Sequence, residues 1–335
     1  MYFFKLVFFN SMLMGTLISI SSLSWMTAWM GLEINLLSIL PLMKSKKFSY
    51  SSESTIKYFI IQTIASMMFL FTIISSLNFY PFNNNFLMQI LFMICLLMKM
   101  GAAPFHFWMP EIASSLNWKI LFIILTWQKL APSIMISYIN NYHSILFISI
   151  IMSAIIGSIQ GLNQICLRKL MSYSSINHIS WMISNLMNSN KMWFMYFIIY
   201  SISNFFIIFM FNKNKMFYLN QLMNFMINNK IMKLIFMMNF LSLSGLPPMI
   251  GFLPKWLTIN YLSNNNLYLL ALILIMFTLI SMYFYLRITF SSFTILTMEN
   301  QKYFFSTKMN KIFNFNFLFL LSMPFYTLVY SMFLY

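Results

Sequence analysis

Apolar residues run along this chain in blocks of about twenty, each closed by a short polar or basic stretch. A helix rises about 1.5 Å per residue, so such a block crosses the roughly 30 Å hydrocarbon core of a bilayer. The pattern predicts eleven spans, near 2–22, 23–43, 54–78, 84–103, 118–139, 143–163, 167–188, 192–212, 231–257, 264–289 and 312–335. The expected fold is all-α and polytopic, with the ninth span broken.

Two of the blocks are interrupted in the same way. Gly101-x-x-Pro104-x5-Pro110, followed by Glu111, returns 144 residues later as Gly245-x-x-Pro248-x5-Pro254, followed by Lys255. Proline lacks the helix donor and clashes one turn back, so Gly101, Pro104 and Pro110 are expected to break the helix ending at Lys99. Inside a bilayer, a break persists only where protein or a watery cavity satisfies the freed backbone groups. Paired interrupted segments mark transporter folds built from two repeats. Five spans separate corresponding elements, and an odd number inverts orientation. Two inverted five-helix repeats are therefore expected, over 1–139 and 140–290, followed by a matrix loop and C-terminal span over 291–335. The same offset sets Glu33 opposite Asn177, beside His178.

Composition agrees with a membrane protein. Of 335 residues, 61% are hydrophobic and 7% charged, against about 25% charged in soluble domains. The first span is expected to begin at the N-terminus, with no cleavable signal before it. The net charge of +16 does not point to nucleic acid, because its distribution follows the spans. With eleven spans, sixteen lysines and arginines fall on one side, among them Lys44, Lys47, Arg168 and Lys213, and Lys191 alone on the other. Such asymmetry orients membrane proteins, and basic loops face anionic lipid headgroups. In an organelle inner membrane the basic side is the matrix, which puts the N-terminus there and the C-terminus outside. The excess of Met (34) and Phe (39) over Ala (8) and Val (2) follows A/T-rich codons and suggests an organelle genome.

A few charges remain inside the spans: Glu33, Lys99, Lys129 and Lys255, with His178 beside them. Intramembrane charges cost about 2.5–3.5 kcal/mol on insertion scales and usually mark ion or proton routes. Glu33 and Lys129 lie mid-span, about 15 Å from either end, beyond the reach of snorkelling. Pro132 frees the carbonyl of residue 128, one turn before it. Burial disfavours the charged form of an amine, so these lysines can take and release a proton, and a carboxylate such as Glu33 can hold it on or let it go. His106 is a secondary candidate at the broken helix. Cys95 and Cys166 show no partner pattern, and no metal or nucleotide motif accompanies them. The chain is expected to move ions and to leave electron carriers to partners.

Four motifs then stand together: Trp29-x-Gly-Leu-Glu-x-Asn35, Lys99-x-Gly-x-Ala-Pro-Phe-His-Phe-Trp-x-Pro-Glu111, Thr126-Trp-Gln-Lys-x-Ala-Pro132 and Gly245-Leu-Pro-Pro-x-x-Gly-Phe-x-Pro-Lys-Trp256. In this order, nearly end to end, the chain resembles the subunit 2 family of mitochondrial NADH dehydrogenase, antiporter-like proton-translocating membrane subunits of respiratory complex I. The resemblance implies proton translocation in the mitochondrial inner membrane, coupled to NADH oxidation and ubiquinone reduction. FMN, iron–sulfur clusters, NADH and ubiquinone would then belong to partner subunits, with no cofactor in this chain. Partners would be other membrane-arm subunits and phospholipids, cardiolipin among them, without nucleic acid. On this resemblance Glu33 matches the coupling glutamate, and Lys99 its partner on the first broken helix. Lys129 matches the central lysine, Lys255 the lysine nearer the exit and His178 a polar axis position, although Ser180 stands where glycine is expected. A free-standing cation/proton antiporter and a purely structural membrane-arm subunit remain open at this point.

Overall fold

A computed structural model describes residues 2–44, 50–78, 86–139, 143–222, 230–247 and 249–294. The span expected over 312–335 lies outside the described residues. The described elements are α-helices, joined by a single antiparallel bridge between Cys166 and Tyr218. Helices α1 (Tyr2–Ile20) and α2 (Trp25–Met43) form a hairpin, followed by α3 (Ser51–Asn78) and α4 (Phe86–Met100). The short α5 (Trp108–Ser115), α6 (Trp118–Leu125) and α7 (Trp127–Ser137) come next, then α8 (His143–Leu162), α9 (Leu167–Leu186) and α10 (Asn190–Lys213). The described chain closes with α11 (Lys230–Ser244), α12 (Phe252–Asn264) and α13 (Tyr268–Thr294). Among the described residues, seven helical segments are long and apolar enough to cross a membrane, and Leu87–Met100 and Lys233–Ser244 are shorter apolar helices.

The two interruptions have the same build. Helices α4 and α11 begin and end 144 residues apart, and so do the starts of α5 and α12. Each first half closes on a glycine at positive φ, +72° at Gly101 and +81° at Gly245, where a side chain would be strained. The next residue reaches back five positions, Ala102 N to Leu97 O at 3.0 Å and Leu246 N to Leu241 O at 3.2 Å. Both are Schellman ends, which satisfy carbonyls that would otherwise be orphaned. Pro110, expected to break the helix, instead sits in the first turn of α5, and Pro254 holds the same place in α12. There the missing N–H costs nothing, because first-turn donors have no partner inside the helix.

A third interruption has no proline or glycine at its centre. The run expected as one span over 118–139 is two helices, α6 and α7, separated at Thr126. The Lys129 N–H bonds the Thr126 carbonyl at 3.1 Å, one residue short of the α-helical partner, so Leu125 O is left over.

The core of the bundle is α9. Eighteen of its twenty residues are buried, although it carries five serines on that buried surface, with Asn177, His178 and Asn185. Such a helix cannot face lipid, and α5, α6, α7, α8, α10, α12 and α13 all pack against it. The serine hydroxyls bond carbonyls three residues back within the helix, as Ser172, Ser174, Ser175, Ser180 and Ser184 do at 2.6–2.8 Å. Small residues let the backbones close: a Cβ on Gly157 of α8 would lie 2.6 Å from Asn177 N, and one on Gly15 of α1 2.8 Å from Asn35 N. These twin contacts are 142 residues apart, not 144, so in the hairpins Glu33 falls opposite Ser175 and Asn35 opposite Asn177. By contrast α1 and α13 present wide apolar faces, with Phe3, Leu269 and Leu272 exposed.

Candidate functional site

The four lysine and histidine positions expected along the axis are all buried. Lys99 is 6% exposed, Lys129 2%, His178 6% and Lys255 6%. Glu33 is half-buried.

Lys99 comes from the last turn of α4. Its ammonium stands 6.0 Å over the Phe69 ring of α3 and borders a cavity of about 20 Å³ shared with Asn35, Gln62, Tyr58, Gln128 and Pro132. That volume holds about one water, and polar side chains surround it. Asn35 and Gln128 close one side as a reciprocal amide pair, at 3.0 and 2.9 Å, tying α2 to α7. The charge of Glu33 acts on Lys99 through space, but the two do not touch. The ion pairs among the described residues join Lys57 to Glu53 at 2.9 Å and to Glu111 at 3.1 Å, at the partly exposed end of α3.

Lys129, next to Gln128 on α7, borders a different cavity. Its Nζ donates to Tyr200 Oη at 3.2 Å and to the Ser175 carbonyl at 3.4 Å, and lies 5.1 Å over the Tyr200 ring. The Tyr200 hydroxyl in turn donates to Leu125 O at 3.3 Å, the carbonyl set free at Thr126. The break therefore positions the lysine and its phenol together. A second cavity of about 10 Å³ touches Lys129, Ser133, Met100 and Trp193. Helix α7 is the wall between the two cavities, with Gln128 and Pro132 on the Lys99 side and Lys129 and Ser133 on the other.

His178 of α9 continues the line. Its Nδ1 shares a 2.8 Å hydrogen bond with Tyr196, and its ring centroid lies 5.0 Å from that of Tyr200. The charges of Lys129 and Lys255 both reach it. Lys255, in the first turn of α12, bonds the end of α11 across the second break: Ser244 O at 2.7 Å and Leu243 O at 3.4 Å. Its Nζ is 6.0 Å from the ring of Trp181, three residues beyond His178 on α9. In the first break the corresponding task falls to Trp108, whose indole bonds Met98 O at 3.2 Å.

His106 is placed apart from this line, in the segment between α4 and α5. It is 1% exposed, with Nδ1 3.2 Å from Pro104 O and its ring against Phe107. Among the described residues no group of His, Cys, Asp and Glu is placed to hold a metal, and Cys95 and Cys166 are free thiols. Tyr196, Tyr200 and the Asn35–Gln128 pair were missed in the sequence. A Tyr-x3-Tyr-x3-Asn stripe over 196–204, one face of an otherwise apolar span, was the available signal.

Broken helices, buried amines bound to neutral groups, and a small polar cavity beside Lys99 define a class: antiporter-like ion-translocating membrane proteins. Residues 22–281 match the family described as NADH:quinone oxidoreductase/Mrp antiporter, transmembrane part, and the chain belongs to that family. Its relatives include NADH-ubiquinone oxidoreductase chain 2 of Anopheles gambiae, 48% identical over 315 residues that cover 91% of this chain and 92% of that one. The protein of the same name from Locusta migratoria is 46% identical over 310 residues, covering 92% of this chain and 90% of the relative. In fold, the chain is similar to one in respiratory complex I of Thermus thermophilus, with TM-score 0.83 and 20% identity over 96% of this chain and 78% of that one. It is also similar to a chain of the Mrp complex from Dietzia sp. DQ12-45-1b, with TM-score 0.68 and 12% identity over 86% and 59% of the two chains.

Proposed function

We propose that this chain is the antiporter-like membrane subunit of a mitochondrial NADH:ubiquinone oxidoreductase, and that it carries protons along Lys99, Lys129, His178 and Lys255 under the influence of Glu33. The observation that carries the reading is the run of buried amines through the centre of the bundle, each held by hydroxyls, carbonyls or rings and none by a carboxylate within ion-pairing distance among the described residues. With no carboxylate in contact to fix the proton on any of these amines, a change in nearby charge moves it. Glu33 acts on Lys99 from outside contact distance, and motion of that carboxylate toward or away from Lys99 is the input. Lys129 then passes its proton toward His178 and Lys255.

The names of the insect relatives support the rest. NADH, FMN, iron–sulfur clusters and ubiquinone belong to partner subunits, and oxidation there supplies the energy. Partners are the other membrane-arm subunits and inner-membrane phospholipids, cardiolipin among them. The first repeat runs over 1–139 and the second, inverted, over 140–290, with the N-terminus on the matrix side. One end of the bundle gathers Lys57 with Glu111, Arg168 against Leu116 O and Trp118 against Met216 O, which fits a single basic face.

Lys129→Met keeps the length and apolar stem of the side chain and removes the titrating group. In the assembled, NADH-oxidising complex it is expected to leave the native-gel band intact and to slow proton translocation by about a hundredfold or more. Normal pumping by that variant would overturn the reading and favour a scaffold.

A further inference from the structure

Asn185 lies two turns beyond His178 on α9 and is 1% exposed, yet neither its Nδ2 nor its Oδ1 has a hydrogen-bond partner. One turn back, the indole N–H of Trp181 is equally buried and unpartnered, and at the end of the helix so is Nδ2 of Asn188. A buried polar atom left unpaired costs about 1–3 kcal/mol. Folded proteins meet that cost with ordered water, each molecule making about three hydrogen bonds. Four such atoms on one short stretch form a seam of unmet hydrogen bonds.

The seam has a direction. Positions 181 and 185 share one face of α9, and Asn188 follows in the turn that closes the helix. Helix α12 lies along that face: Lys255 Nζ is 6.0 Å from the Trp181 ring, and two turns later Tyr261 donates its hydroxyl to Asn188 O at 3.4 Å. Asn185 falls between these two contacts. From Trp181 to its end at Leu186 the helix rises about 7 Å, away from the end where Arg168 and Lys57 gather. Lys255 is otherwise enclosed by Ser244 O, Leu243 O and Trp181.

We propose that Asn185 anchors ordered water linking Lys255 to the end of the bundle marked by Asn188 and Tyr261, and that protons leave Lys255 through it. The inference rests on the relay reading of Lys255. The Lys255 ammonium breaks one N–H bond and gives that proton to a water oxygen. The water passes a different proton to the next acceptor, so every water ends neutral and Lys255 ends as an amine. Asn185 does not titrate: its Nδ2 donates to water and its Oδ1 accepts from it, which makes it a positioning residue.

Two measurements on the assembled complex test this. A density map fine enough to show water beside Lys99 is expected to show water within hydrogen-bond distance of the Asn185 amide; a dry Asn185 in that map overturns the inference. Asn185→Leu, similar in shape and without polar atoms, is expected to expel the water and slow proton translocation by about tenfold or more, with the assembled amount unchanged. Asn185→Ser, smaller and hydrated, is expected to restore most of the rate, and it remains informative if the leucine variant fails to assemble. Lys129→Met is measured beside them. Slow pumping in Lys129→Met with full pumping in Asn185→Leu sinks the Asn185 inference alone, whereas full pumping in both sinks the relay as well.

Discussion

Tyr200 has three jobs: its oxygen accepts from Lys129 at 3.2 Å, its proton goes to Leu125 O at 3.3 Å, and its ring lies 5.1 Å under the ammonium. Tyr200→Phe separates them. The ring and its cation–π attraction stay, worth about 2 kcal/mol when desolvated, while the hydroxyl goes and Leu125 O loses its partner. Stability is expected to fall by about 1–2 kcal/mol, read as a lower melting temperature of the membrane arm. If the hydroxyl also sets where Lys129 delivers its proton, pumping slows and its pH profile shifts relative to wild type. A purely structural hydroxyl would lower the melting temperature and leave the profile in place. Nothing in the sequence paired Tyr200 with Lys129, because they lie 71 positions apart and their meeting depends on a break at Thr126 that no proline marks. Lys99, Lys129 and Lys255 were legible for the opposite reason: a cation in an apolar run is conspicuous whatever the fold. Glu33 is half-buried, which a mid-span position does not reveal, because it does not say which face of α2 looks inward.

At the scale of elements, the long spans were readable to within a few residues because lipid imposes length directly. The spans expected over 143–163, 167–188 and 192–212 became α8, α9 and α10. The short half-helices were less readable. Helix α5 has eight residues and mixed polarity, so no window of apolar residues reveals it, and α12 runs to Asn264, past the boundary expected at 257. The glycines that close α4 and α11 give a sharper test of the two breaks. Alanine at positive φ costs about 1–2 kcal/mol, so Gly101→Ala and Gly245→Ala are both expected to reduce the assembled complex. Their neighbours differ. A Cβ on Gly101 would meet the Trp108 ring at 3.0 Å, but one on Gly245 would lie 2.8 Å from Lys255 Cδ and 2.9 Å from its Nζ. Per assembled complex, Gly245→Ala is expected to pump more slowly than Gly101→Ala, because it displaces the lysine from Ser244 O. Equal rates per complex would show that the glycine serves the fold and not Lys255.

The whole molecule keeps its polar helix at the centre and its apolar faces outside, the reverse of a soluble bundle's economy, and this follows from the solvent. Lipid cannot satisfy the serines, Asn177 and His178 of α9, so the other helices must enclose it. The same solvent makes loop charge the one global signal of orientation. Helix α10 carries the cleanest case, because Lys191 stands at one end and Lys213 at the other of a 24-residue apolar helix. At about 1.5 Å per residue it is some 36 Å long, enough to place the two lysines on opposite faces of the membrane. Lys191→Cys and Lys213→Cys, each made with Cys95 and Cys166 replaced by serine, turn this into a labelling experiment with a membrane-impermeant maleimide. In mitochondria whose outer membrane has been opened, Lys191→Cys is expected to react at once and Lys213→Cys only after the inner membrane is permeabilised. The opposite order would invert every element, and would put Asn188 and Tyr261 on the matrix side, turning the seam at Asn185 from a way out into a way in. Labelling of both sites from one face would mean that α10 does not span, and the enclosure of α9 would then need another explanation.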